Sequence, residues 1–149
     1  MESSSNIADL RRPEVTLAVT QGVLRHCYEM NWAPLSEVTF KNGRRADVLA
    51  LDKDGKFHLF EVKSSREDFQ VDTKWQDYLE FCDTFSFAVA QDFPREIIPE
   101  DVGLLICDAY GAHPLRPAYN SPLHASRRKA LTLMFARLAA QRWQRALEA

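Results

Sequence analysis

Apolar positions recur along the chain with two different periods. Val15, Val19, Gly22, Val23, His26 and Met30 return every three or four residues, which predicts one amphipathic helix from Pro13 to about residue 30. Pro13 suits a helix start, because the N–H it lacks would have no partner there. "NWAP" ends the helix. Three short β-like runs follow, "SEVTF" (36–40), "RADVLAL" (45–51) and "KFHLFEVK" (56–63), separated by "KNG" and "DKDG", both good hairpin punctuation. From about Asp68 to Cys82 the period is helical again, with Trp75, Tyr78, Leu79 and Cys82 on one side. "TFSFAVA" (84–90) and "VGLLICDA" (102–109) read as buried strands. "QDFPREIIPED" reads as a loop or short turn between them, and "YGAHPLRPAYNSP" as a Pro-bearing surface loop. The last helix covers about 123–147, with Leu131, Met134, Phe135 and Leu138 as its apolar stripe.

The order of elements predicts an α/β fold: a mixed sheet with helices on both faces. Residues 1–12 read as a loose polar tail, and 13–149 as a single domain. A turn centred on Asp54 sets the register of the second and third strands. Leu51 then opposes Phe57, Leu49 opposes Leu59, Asp47 opposes Glu61 and Arg45 opposes Lys63, all on one face. Ala46, Val48, Ala50, His58, Phe60 and Val62 take the other. Both faces are mostly apolar, and the polar cluster sits at one end of one face.

Composition narrows this only a little. The 149 residues are 46% hydrophobic and 27% charged, as in a globular chain long enough for one core. No apolar run reaches the length of a membrane span, and "MESSSNIADLRR" lacks a signal peptide's apolar stretch, so a cytoplasmic location is expected. Three distant cysteines and four histidines without paired spacing argue against a disulfide framework and a structural zinc. The formal net charge of −2 gives no global basic coat for nucleic acid. With five glycines there is no Walker loop, GxGxxG or GxSxG, so a metabolic enzyme finds little support.

The chemistry lies in the hairpin. Opposed carboxylates repel unless something positive joins them, and magnesium accepts one or two carboxylates together with phosphate and water. Asp47 and Glu61 are therefore candidate ligands of Mg²⁺ or Mn²⁺. Lys63, on the same face as Glu61, is a candidate to hold a phosphate oxygen or orient the attacking water. The competing reading is a cross-strand ion pair on a solvated face. Glu37 is a possible third acid: it opposes Asp47 if "KNG" forms a three-residue loop with Gly43 left-handed, and faces away if "NG" forms a two-residue turn.

Asp47 followed by Glu61-Val62-Lys63 resembles the signature of the PD-(D/E)XK nuclease superfamily, with Ala46 in place of the proline that names the motif. "GRRADVLAL", "EVKSSREDF", "DTKWQDYLEFCDTFSFAV", "GLLICDAYGA" and "RRKALTLMFARLA" further resemble the bacterial MmcB family of DNA repair proteins, over about residues 14–142. The resemblance implies a restriction-endonuclease-like core (α-β-β-β-α-β) with an extra strand and a C-terminal helix. It implies a metal on Asp47, Glu61 and the backbone carbonyl of Val62, and Lys63 assisting hydrolysis of a DNA phosphodiester. Lys74 and Gln76 become candidates to complete the site, and Arg44, Arg45, Ser64, Ser65 and Lys74 candidate contacts to DNA. Trp75 and Tyr78 are read as packing residues rather than base-stacking platforms. The expected function is a metal-dependent deoxyribonuclease in DNA repair. The alternative is a module of the same fold that binds DNA or a repair partner without cutting. DNA, other repair proteins and a second copy of the chain are the expected partners, with no membrane.

Overall fold

The computed structural model describes residues 12–72 and 74–149. The expected tail thus lies outside the described residues except for Arg12, which opens the first helix. The elements are α1 (Arg12–Glu29), β1 (Ala33–Thr39), β2 (Arg45–Leu51), β3 (Phe57–Val62), α2 (Arg66–Val71), a 3₁₀ helix (Trp75–Phe81), β4 (Thr84–Val89), a 3₁₀ turn (Arg95–Ile97), β5 (Gly103–Asp108), β6 (Gly111–Arg116) and α3 (Ala125–Glu148). The strands form one sheet in sequence order. β3, β4 and β5 are parallel, while β1–β2, β2–β3 and β5–β6 are antiparallel.

α1 ends where Asn31 takes a left-handed φ of 61° and the Trp32 N–H returns to the Cys27 carbonyl at 2.8 Å. The helix covers one face of the sheet, packing Val15, Val19, Val23 and Cys27 over Val48, Phe60, Val62 and Ala88. Gly22 lets it approach the β5–β6 turn, where a Cβ would collide with the carbonyls of Asp108 and Gly111. The other face carries Leu49, Phe57, Leu59, Phe85, Phe87 and Leu104 beneath the 3₁₀ helix and α3, which contributes Leu131 and Phe135.

The β2–β3 register matches the expectation, with Leu49 opposite Leu59 and Leu51 opposite Phe57. "KNG" is the three-residue loop: Phe40 and Arg44 close it, and Gly43 has a φ of 86°. Three expectations need correction. The helix over 68–82 is broken, because the Asp72 carboxylate takes the Lys74 N–H at 3.1 Å and offers the backbone a turn in its place. The surface loop after β5 contains a sixth strand, Gly111–Arg116, whose Pro114 is tolerated because β6 is an edge. Ala46 packs with Val38 on the α3 face rather than with Val48. Alternation is lost beside Asp47, where Glu37 across the ladder has a φ of 53° and the two residues do not pair.

Asp83, almost completely buried, ties three segments together before β4. Its Oδ2 accepts the Phe57 N–H at 2.7 Å and Arg128 at 2.9 Å, while Oδ1 accepts the Leu123 N–H at 3.0 Å and a second Arg128 donor. Arg142, further along α3, donates to the carbonyls of Ser36 and Glu37 on edge strand β1.

Candidate active site

The paired ladder of β2 and β3 stops at Val48 and Phe60. Beyond it side chains take over from the backbone. Asp47 Oδ2 accepts the Val62 N–H at 2.7 Å, and Glu61 Oε1 accepts the Asp47 N–H at 3.4 Å. Two carboxylates thus lie side by side at the end of a buried strand, Glu61 being only 7% exposed. Tyr78 reaches the pair from the 3₁₀ helix, donating to Glu61 Oε2 at 3.2 Å with the Arg45 carbonyl 2.8 Å from the same hydroxyl.

Burial and the neighbouring Asp47 push the Glu61 carboxyl up to about 9, with Lys63 opposing. Burial also raises Asp47, against the pull of the Val62 N–H. At neutral pH the pair therefore keeps a proton, because two buried charges in contact are too costly. A divalent cation satisfies the same pair by replacing that proton, so the donor set fits a metal. Among the described residues no three acids, histidines or cysteines converge to hold one. The fit is accordingly to an ion bound through two carboxylates and completed by water and phosphate, the habit of magnesium, not to an all-protein cage.

Lys63 is buried next to the pair, and its Nζ meets Asp72 Oδ2 at 2.9 Å. Asp72 Oδ1 lies 3.2 Å from the Arg44 guanidinium, which stacks over the Tyr78 ring 4.7 Å from its centroid. Burial raises the Asp72 carboxyl, but the hydrogen bonds from Lys63 and Lys74 and the cations Lys63 and Arg44 outweigh it and hold the group below its ordinary value. These residues open into a cleft of about 460 Å³, lined by Arg44, Arg45, Lys63, Asp72, Lys74 and Tyr78 among others.

The structure brings together Asp47, Glu61 and Lys63, with Val62 between them on the strand. Arg44, Arg45 and Lys74 line the cleft. Ser64 and Ser65 serve α2: Ser65 Oγ accepts the Asp68 N–H at 3.1 Å, and Asp68 takes the Ser64 N–H at 2.8 Å. Glu37 stands opposite Asp47 in the register, yet it is exposed and lines a separate groove with Met134, Arg137 and Arg142. Gln76 is exposed on the 3₁₀ helix and is not among the cleft-lining residues. Trp75 packs on Phe85 and Phe87, as expected. Sequence reasoning missed the roles of two members. Tyr78 has its ring packed among Phe40 and Phe85, with the Arg44 guanidinium over it and its hydroxyl on Glu61. Asp72 stands near the Lys74 and Gln76 candidates in the sequence, but the helix expected across it hides its contacts with Lys63 and Arg44.

A family described as DNA repair protein MmcB-like matches residues 3–149. A solved structure, the SPO1766 protein of unknown function from Silicibacter pomeroyi, is 42% identical over 91% of this chain and 91% of its own, with a TM-score of 0.84. Comparison with curated proteins finds no match.

Proposed function

The chain belongs to the MmcB-like family of DNA repair proteins, and from that premise we propose that it is a metal-dependent deoxyribonuclease of the PD-(D/E)XK type with a restriction-endonuclease-like core. The observation that carries this reading is the buried Asp47–Glu61 pair with Lys63 beside it.

Asp47 and Glu61 would hold Mg²⁺ or Mn²⁺, with the Val62 carbonyl as a further donor. When bound, the ion supplies a more acidic water and neutralises charge on a phosphoryl group. The chain does the rest. Tyr78 and the Asp47 N–H hold the Glu61 carboxylate in one orientation from opposite oxygens. The Val62 N–H fixes Asp47 in the same way. Lys63, with three donors, can face the scissile phosphate as charge builds on its oxygens. Arg44, Arg45 and Lys74 line the cleft as contacts for the DNA backbone.

The alternative, a non-cleaving module of the same fold, draws its support from the absence of a third metal-ligating side chain among the described residues. One experiment separates the two. Labelled duplex, single-stranded, flapped and branched DNA are incubated with Mg²⁺ or Mn²⁺, with EDTA as control. Wild type is compared with Asp47→Ala and Lys63→Ala. The expected result is cutting of at least one substrate that requires metal and vanishes in both variants. No cutting, with DNA binding retained in all three proteins, would instead assign the chain to the binding module.

A further inference from the structure

Lys63 and Arg44 both end on one carboxylate. Each oxygen of Asp72 serves a different cation: Oδ2 takes Lys63 at 2.9 Å, and Oδ1 takes Arg44 at 3.2 Å together with the Lys74 N–H at 3.1 Å. A phosphodiester offers the same face, two non-bridging oxygens sharing one negative charge. We propose that Lys63, Arg44 and the Lys74 N–H form a phosphate seat, and that the Asp72 carboxylate occupies it until a DNA phosphate displaces it.

Three observations carry this. First, the Arg44 Nε is buried and has no hydrogen-bond partner among the described residues. A planar guanidinium normally spends its donors on carboxylate or phosphate in pairs. Asp72 meets Arg44 through NH2 alone, so a donor is left over for a larger anion. Second, the cleft is lined by four cations, Arg44, Arg45, Lys63 and Lys74, against two acids, Asp68 and Asp72. Asp68 is already committed to Arg12 at 2.8 Å and to the Ser64 N–H. Moving Asp72 aside therefore uncovers a strongly positive cleft. Third, Asp72 caps the six-residue helix α2, none of whose residues is fully buried. Its displacement disturbs little packing.

The consequence is a gate. In the unliganded chain Lys63 is neutralised by an internal anion, and binding DNA must exchange one anion for another. The inference rests on the DNA-directed reading above but not on cleavage, since it concerns anion binding alone.

The test is the affinity for a short fluorescein-labelled DNA duplex, measured by anisotropy in EDTA over a series of salt concentrations. Asp72→Asn, which keeps an acceptor for the Lys74 N–H, is expected to bind about tenfold more tightly than wild type, since it removes a like charge from the seat. Its salt dependence should steepen by about one unit of slope, the mark of one added phosphate contact. Adding Arg44→Gln should erase the gain. Unchanged, weaker or absent binding by folded Asp72→Asn would overturn the proposal, as would a gain that survives Arg44→Gln in full, which would reflect general charge relief. Should Asp72→Asn fail to fold, Asp72→Ser is expected to bind more tightly in the same way, and the same failures would overturn the proposal. Tighter binding by Asp72→Asn, together with no metal-dependent cutting by the wild type, would sink the nuclease and leave the seat standing.

Discussion

Glu61→Gln is expected to make the metal-free protein more stable while sharply weakening its divalent-cation binding. In the unfolded chain Glu61 ionises near its ordinary value of 4.5; folded, it holds its proton up to about 9. Between those values the folded state binds the extra proton, so its stability falls as pH rises, by about 1.4 kcal/mol per unit while the difference lasts. At pH 7 this is a cost that a neutral glutamine does not incur. The variant should melt several degrees higher at pH 7, with the gain shrinking toward pH 5. Titration with Mn²⁺ should show affinity reduced by about a hundredfold or more, since one of two protein carboxylates is gone. In the wild type, Mn²⁺ affinity should climb with pH toward 9, because the metal must expel the Glu61 proton. Glutamine should flatten that slope. A variant no more stable than wild type, binding Mn²⁺ as well as before, would mean that the two carboxylates do not work as a pair.

The largest loss of stability should come from a residue outside the cleft. Asp83→Ala is expected to cost about 3 kcal/mol or more, because a buried carboxylate that satisfies two backbone N–H groups and pairs with the partly exposed Arg128 is deleted. The substitution strands the N–H groups of Phe57 and Leu123 and frees Arg128, which anchors the start of α3. Denaturant unfolding should show the midpoint falling sharply. Its pH signature is opposite to that of Glu61. Burial raises the Asp83 carboxyl, but Arg128 and the two N–H donors hold it below 3.8 overall. Its contribution is therefore complete above pH 3.8 and lost as acid carries the protein through the lower folded value. A loss of less than about 1 kcal/mol would remove Asp83 from its place as the junction of β3, β4 and α3.

These two acids also show how far sequence reaches. The hairpin register was legible because period-two alternation and a glycine turn constrain it from both ends, and from it followed the meeting of Asp47 and Glu61. Asp83 was not legible, since its partners are 26 to 45 residues away and a lone acid between a helix and a strand looks like punctuation. The role of Asp72, though it stands near the Lys74 and Gln76 candidates, is illegible for a related reason: apolar period alone carries a helix across it, while the side-chain bond that breaks the helix leaves no mark on hydrophobic spacing. β6 looks like a loop in the sequence because none of its side chains is buried and it contains a proline, the ordinary appearance of an edge. Glu37 fell into the right register and the wrong place, because one left-handed residue re-aimed the strand.

That left-handed residue has a further consequence at the margin of the sheet. An edge strand displays unpaired backbone groups, an open invitation for another chain to add itself. On β1 the ladder is interrupted at Glu37, and Arg142 has already claimed the Ser36 and Glu37 carbonyls. On β6, Pro114 removes a donor from the row. Neither flank offers a flat, continuous template. At both ends of the six-stranded sheet the features present work against pairing with a further strand.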